Sequence, residues 1–194
     1  TGAGVALDAA SRGLSVALFE KHDLAFGTSR WSSKLVHGGL RYLGNGDVAV
    51  AYESALERGR LIQYIAPHLV RSMPTWFPLF PEMHAKSELL IRAGFQAGDM
   101  LRRLARTPAS VLPNSGSLSI EGVLAYSSGV RIDGLRGGIV QWDGNLYDDA
   151  RLVVGVARTA AARGAKILTR CEVVEASGEA READLGVASG NGKG

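Results

Sequence analysis

From Gly27 to Leu43 the sequence reads Gly-Thr-Ser-Arg-Trp-Ser-Ser-Lys-Leu-Val-His-Gly-Gly-Leu-Arg-Tyr-Leu. The hydroxyls of Thr28, Ser29, Ser32 and Ser33 stand beside two cations, Lys34 and Arg41, an imidazole at His37 and a glycine pair, Gly38-Gly39. That mixture suits a ligand that carries phosphate. Hydroxyls and free backbone amides donate to a pyrophosphate, the cations supply charge, and adjacent glycines let backbone lie against a flat ring. A Ser-rich surface loop leading into a capped helix would use the same residue types.

A second set of candidates stands at the start of the chain. In a dinucleotide-binding unit a glycine-rich turn leads into a helix whose N-terminus meets the pyrophosphate, and an acid about twenty residues on takes a ribose hydroxyl. Gly2 fits the last glycine of that turn, Ala6 a small residue one helical turn on, and Glu20 the acid. The two earlier glycines and the first strand are expected before Thr1, since the chain opens Thr1-Gly2-Ala3-Gly4 without an initiator Met and reads as an internal piece of something longer. An Ala-rich helix leading to a strand that ends in Glu is also common in α/β proteins without a nucleotide.

The elements that must position these residues follow from periodicity and punctuation. Gly4 to Arg12 predicts a helix, Gly13 its C-terminal cap, and Leu14 to Glu20 a buried strand. The glycine density from Asp23 to Gly46 predicts a binding loop with a short helix. Val48 to Ala66 predicts an amphipathic helix stopped by Pro67, and the four prolines from Pro67 to Pro81 predict an extended, irregular path. A second helix is expected from about Ser87 to Arg106, with Arg92, Arg102, Arg103 and Arg106 on a solvated face; the alternative is a basic face toward anionic lipid beside Leu101 and Leu104. Gly116 to Asp143 predicts short strands in an antiparallel layer. Asp148 and Asp149 open a helix with Leu152, Val153, Val156 and Ala160 on its inner face, Gly164 ends it, and Ala165 to Ala176 predicts a strand before a polar tail.

Composition narrows the classes. A chain with 46% hydrophobic and 21% charged residues is not collagen-like, disordered or coiled-coil. Its 25 glycines are about twice the usual share. A formal charge of +3 is too mild to imply nucleic acid without a localised basic stripe. Cys171, the single cysteine, excludes an internal disulfide and a cysteine-rich metal site, which makes the cytoplasm the default compartment. No apolar run approaches the roughly 18 residues of a spanning helix. His22, His68 and His84 read as structural or surface residues.

Thr28 to Leu43 resembles the signature of the flavin-dependent glycerol-3-phosphate dehydrogenases, Thr-Ser-x-x-Ser-Ser-Lys-Leu-x-His-Gly-Gly-x-Arg-Tyr-Leu, at every fixed position. The resemblance extends back to Thr1-Gly2-Ala3-Gly4 and Glu20, and forward through Ala66-Pro67-His68-Leu69 and Asp148 to Val153 to Leu168-Thr169-Arg170. It implies an α/β fold: an FAD/NAD(P)-binding, Rossmann-like flavoprotein domain over 1–45, an inserted substrate-side α+β region over 46–142, and a return to the first domain over 143–194. It also implies that Gly2, Glu20, Thr28, Ser29, Ser32, Ser33, Lys34, Leu35 and Val173 contact FAD. His37, Arg41 and Tyr42 would line the flavin and substrate side, with Arg41 on the substrate's phosphate and His37 either a proton acceptor or a histidine satisfied by backbone.

The activity so implied is oxidation of sn-glycerol 3-phosphate to dihydroxyacetone phosphate, with electrons passed to a quinone at the inner face of the plasma membrane. A homodimer is left open, and no nucleic acid partner or metal is expected. Three other readings share parts of this sequence: an oxygen-using glycerol-3-phosphate oxidase, an amine or amino-acid oxidase of the same flavoprotein superfamily, and a non-enzymatic nucleotide-binding or scaffold fragment.

Overall fold

The computed structural model describes residues 1–179 and 182–189. In chain order the elements are α1 (Gly2–Ser11), β1 (Ala17–Glu20), a 3-10 turn (Thr28–Trp31), β2 (Leu35–Val36), α2 (Leu40–Gly44) and α3 (Val48–Arg60), which continues as a π turn over Leu61–Ile65. They continue with β3 (Val70–Leu79), α4 (Ala85–Leu104), β4 (Gly116–Leu118), α5 (Ile120–Tyr126), β5 (Gly137–Leu146), α6 (Asp149–Ala162), β6 (Lys166–Thr169), β7 (Cys171–Glu179) and β8 (Glu182–Ser189). They form two compact units, residues 1–33 with those from 148 onward, and residues 34–147.

In the first unit β1 and β6 pair in parallel, from Ala17↔Lys166 to Glu20↔Thr169. The helix and stop expected at the start are present, with Gly13 left-handed at φ 82 just beyond α1. The buried strand expected over Leu14 to Glu20 is shorter and less covered: β1 spans Ala17–Glu20, Ala17 is exposed, the other three residues are half-buried and Leu14 is 62% exposed. The cause is that β6 is the one strand that pairs with β1 among the described residues. The small residues Ala6, Ala10, Ala160 and Ala165 form the core between α1 and α6, closed by Leu7, Val16, Leu18 and Ile167. Asp148 caps α6 by accepting the Arg151 N–H at 3.0 Å. The expected inner face of α6 is divided: Ala160 is buried, joined by Ala157, whereas Leu152, Val153 and Val156 line an open cleft. The strand expected over 165–176 is two strands, because Arg170 turns left-handed at φ 55 and donates its N–H to the His22 carbonyl at 2.7 Å. β7 pairs antiparallel with β8, a strand that the polarity of the tail does not predict.

In the second unit β5 is the axis of an antiparallel sheet. It pairs with β3 over ten positions, Val70↔Leu146 to Leu79↔Gly137, and along its other edge with β2 and β4. The proline-rich stretch is extended as expected, but it is regular. Pro74 and Pro78 are four residues apart, so both lack the N–H on the same edge, and β3 is an edge strand that tolerates the loss. The sheet's core is Leu79, Phe95 and Ile139, and a second cluster, Ala51, Ala55, Leu101 and Ala105, joins α3 to α4 under Tyr42 and Leu43. The arginines of α4 are not one solvated face. Arg102 is buried and donates to the Thr107 carbonyl and Asn114 Oδ1, each at 2.6 Å, and Arg92 pairs with Glu88. Leu101 is buried as well. Part of the segment read as strands is α5, whose cap, Ser119 Oγ, accepts the Gly122 N–H at 3.1 Å.

Candidate functional site

The larger cleft lies wholly in the first unit and measures about 420 Å³. Thr1, Gly2, Ala3 and Gly4 form one end of it, at the start of α1. Thr1 caps this helix without a side-chain hydrogen bond, and no acid stands in its first turn, so the first amides and the positive end of the helix dipole are left for a ligand. A Cβ on Gly4 would meet nothing within 4 Å, so the wall there is as low as a polypeptide can make it. Glu20, at the end of β1, lines the same cleft, with one carboxylate oxygen accepting the His22 N–H at 2.9 Å. Leu24, Ala25, Phe26, Leu152, Val153 and Val156 supply an apolar wall. An open cleft that offers amides at one end and a carboxylate beside it matches the pyrophosphate and ribose of a dinucleotide.

The hydroxyl-rich turn is divided in its duties. Ser29 lines the cleft, and Thr28 and Ser33 are exposed. Ser32 donates its N–H and its hydroxyl to Asp149 Oδ2 at 3.2 and 2.7 Å, which ties the turn to the first residue of α6. Lys34 takes a left-handed φ of 60, and its carbonyl accepts Leu146 N–H at 2.7 Å and Asn145 Nδ2 at 3.2 Å. Leu35, on β2, and Val173, on β7, are about two-fifths exposed. The unforeseen parts of this site are the apolar wall and Asp149. Helical periodicity puts Leu152, Val153 and Val156 on the inner face of α6 together with Ala160, without separating cleft wall from core.

A second cleft, about 240 Å³, lies in the second unit and gathers His37, Arg41 and Tyr42 with Leu40, Gln141 and Asp143. The His37 and Tyr42 rings are 5.9 Å apart, and Arg41 stands in the first turn of α2. Both glycines of the pair have structural causes. Gly39 is left-handed at φ 81, and a Cβ there would lie 2.8 Å from Ala51 Cα on α3. A Cβ on Gly38 would lie on the Arg58 guanidinium. Arg58 and Asp143 are a buried ion pair. Sequence spacing brought His37, Arg41 and Tyr42 together; Gln141 and Asp143 reach the cleft through the fold, on β5, roughly a hundred positions away.

A family model for FAD-dependent oxidoreductases, DAO, matches residues 1–193. The chain belongs to the FAD-dependent oxidoreductase family. The family's cofactor is FAD, and the amides, open glycine wall and carboxylate of the first cleft fit its adenosine diphosphate end. Within this family the chain is 62% identical over 169 residues to glycerol-3-phosphate dehydrogenase 1 of Mycobacterium bovis, covering 87% of this chain and 33% of that protein. It is 41% identical over 168 residues to the alpha-glycerophosphate oxidase of Streptococcus pneumoniae, covering 86% and 27%. A solved structure of the Bacillus halodurans glycerol-3-phosphate dehydrogenase complexed with FAD superposes with a TM-score of 0.60 at 25% identity, covering 97% of this chain and 28% of that one. The chain thus spans about a third of the length of the curated relatives it matches. No helix among the described residues is long and apolar enough to cross a membrane.

Proposed function

We propose that this chain contributes the cofactor cleft and one wall of the substrate cleft to an FAD-dependent oxidation of sn-glycerol 3-phosphate to dihydroxyacetone phosphate. The observation that carries this reading is the second cleft, where an arginine, an imidazole and a phenol share one small space. Glycerol 3-phosphate needs a cation for its phosphate and an acceptor for its C2 hydroxyl proton. Arg41 presents planar donors that pair with two phosphate oxygens at once. His37 would hold the hydroxyl proton, and Tyr42 would add a hydroxyl to orient the substrate. Asp143 lines the same cleft but is engaged by Arg58, which leaves the imidazole as the group for proton transfer.

FAD, when bound, supplies the acceptor for the hydride that leaves C2. Gly2 and the first amides of α1 would hold its pyrophosphate, and Glu20 its ribose. By resemblance to the dehydrogenases, Thr28, Ser29, Ser32, Ser33, Lys34, Leu35 and Val173 would also contact it. Quinone reduction at a membrane face is the finer reading, drawn from resemblance to respiratory dehydrogenases. Similarity to a streptococcal oxidase supports oxygen as the rival acceptor.

The full-length protein, supplied in turn with glycerol 3-phosphate, glycine and sarcosine and an artificial electron acceptor, tests the reaction. Turnover of glycerol 3-phosphate alone is expected; turnover of an amine substrate in its place overturns the reading. Replacing the artificial acceptor with a soluble quinone or with oxygen, and following quinol or hydrogen peroxide, separates the two acceptors.

A further inference from the structure

Gly38 stands where β2 leaves the sheet. Val36 pairs with Gly144, so the neighbouring Asp143 faces the point at which the chain turns away. There the Asp143 side chain does what a ladder carbonyl would have done: its Oδ1 accepts the Gly38 N–H at 3.0 Å. The same oxygen accepts Arg58 Nη1 at 2.5 Å. Arg58 is 6% exposed and Asp143 9%. A Cβ at Gly38 would lie 2.1 Å from Arg58 Nη1, so glycine is what lets the guanidinium and the amide share one oxygen. A small cavity behind the turn is also lined by Asp99 and Arg102, which places two buried guanidiniums and two buried carboxylates around the base of the turn.

If stability were the only benefit, this would be a poor arrangement, because an apolar pair of similar volume is often as stable as a buried ion pair or more so. In some proteins a buried polar or charged group instead fixes a unique arrangement of the structure around it. We propose that Arg58 and Asp143 are positioning residues for the substrate cleft. By fixing the Gly38 amide they set where His37, one residue before it, and Arg41, three residues after it, stand. The chemistry assigned to that cleft rests on the function proposed above, whereas the placement of the turn does not.

The test uses the full-length holoenzyme and the paired variant Arg58→Met with Asp143→Leu, which removes both charges and leaves neither unpaired. The thermal midpoint and FAD content are expected to stay near those of the parent. The Gly38 amide should exchange with solvent at least about 100-fold faster, and kcat/KM for glycerol 3-phosphate should fall at least about tenfold, because a displaced wall misplaces the reacting groups. A folded paired variant with parental Gly38 exchange and parental kcat/KM overturns the proposal. Should the paired variant fail to fold, Arg58→Lys decides. Its ammonium keeps the charge without the guanidinium's fork of donors, so a several-fold rise in both Gly38 exchange and KM is expected, and parental values for both overturn the proposal. If the parent enzyme does not oxidise glycerol 3-phosphate, the reading of function falls, and Gly38 exchange alone decides the positioning role.

Discussion

At the start of α1 the cleft is walled by backbone, small residues and one partly exposed carboxylate, and a Cβ added at Gly4 would touch nothing. Around His37 the wall is held from behind by a buried ion pair, and a Cβ at Gly38 or Gly39 would collide with Arg58 or with the backbone of α3. Glycine therefore has opposite meanings at the two clefts. At Gly4 it keeps space open for something that is not protein; at Gly38 and Gly39 it lets protein approach protein. A ligand with many acceptors needs amides and room, whereas a small substrate needs a few side chains fixed in relation to one another.

The largest effect is expected at Gly39. Gly39→Ala adds a left-handed alanine and a methyl 2.8 Å from Ala51 Cα, and should lower stability by about 3 kcal/mol, seen as a lower denaturation midpoint of the full-length protein. A loss below about 1 kcal/mol would mean that the turn is free to move and that the contrast with the first unit fails. Glu20→Gln keeps shape and removes charge. FAD should dissociate more readily by about 1–3 kcal/mol with little change in the apoprotein's midpoint, measurable by titration with the cofactor. Unchanged affinity would remove Glu20 from the site.

Gly4→Ala sharpens the contrast from the other side. An alanine inside α1 should raise stability by about 0.5–1 kcal/mol, while its methyl enters the cleft and lowers FAD retention. A destabilised apoprotein would show that protein, not ligand, fills that space. The smallest effect is expected at Glu88, whose carboxylate is held below the usual value of 4.5 by its hydrogen bond to Arg92 and then by that to Arg136. A lowered carboxylate stabilises the fold fully above 4.5 and loses that contribution as the pH falls below it through the folded-state value. Glu88→Gln should therefore lower the midpoint slightly at neutral pH, where the contribution is present, and leave it nearly unchanged in acid, so that the acid limb of the midpoint-versus-pH curve flattens. Parallel curves would show that the pair has no part in folding.

Local spacing made part of this molecule legible. The Ala-rich run, Gly13 and the apolar strand before Glu20 each carry their own signal, and the structure has them in that order. His37, Arg41 and Tyr42 share a cleft because a short turn and the first residues of α2 bring them together. What lies behind that cleft was not legible, since Asp143 meets Gly38 across 105 positions and a lone acid in a strand resembles any solvated one. Arg102 misled for the same reason: helical periodicity places it among exposed arginines, but Thr107 and Asn114 fold back to receive its guanidinium. Pro74 and Pro78 argued against a regular strand, and an edge position removes that objection.

The most direct test of the second cleft is Arg41→Lys in the full-length enzyme, assayed on glycerol 3-phosphate and on unphosphorylated glycerol. If the guanidinium pairs with the phosphate, kcat/KM for glycerol 3-phosphate should fall by about 10–100-fold, while FAD content, thermal midpoint and the slow turnover of glycerol stay near the parent's. A proportional loss on both substrates, or a joint fall in FAD content and midpoint, would contradict the account: Arg41 would then hold the turn and not read the phosphate.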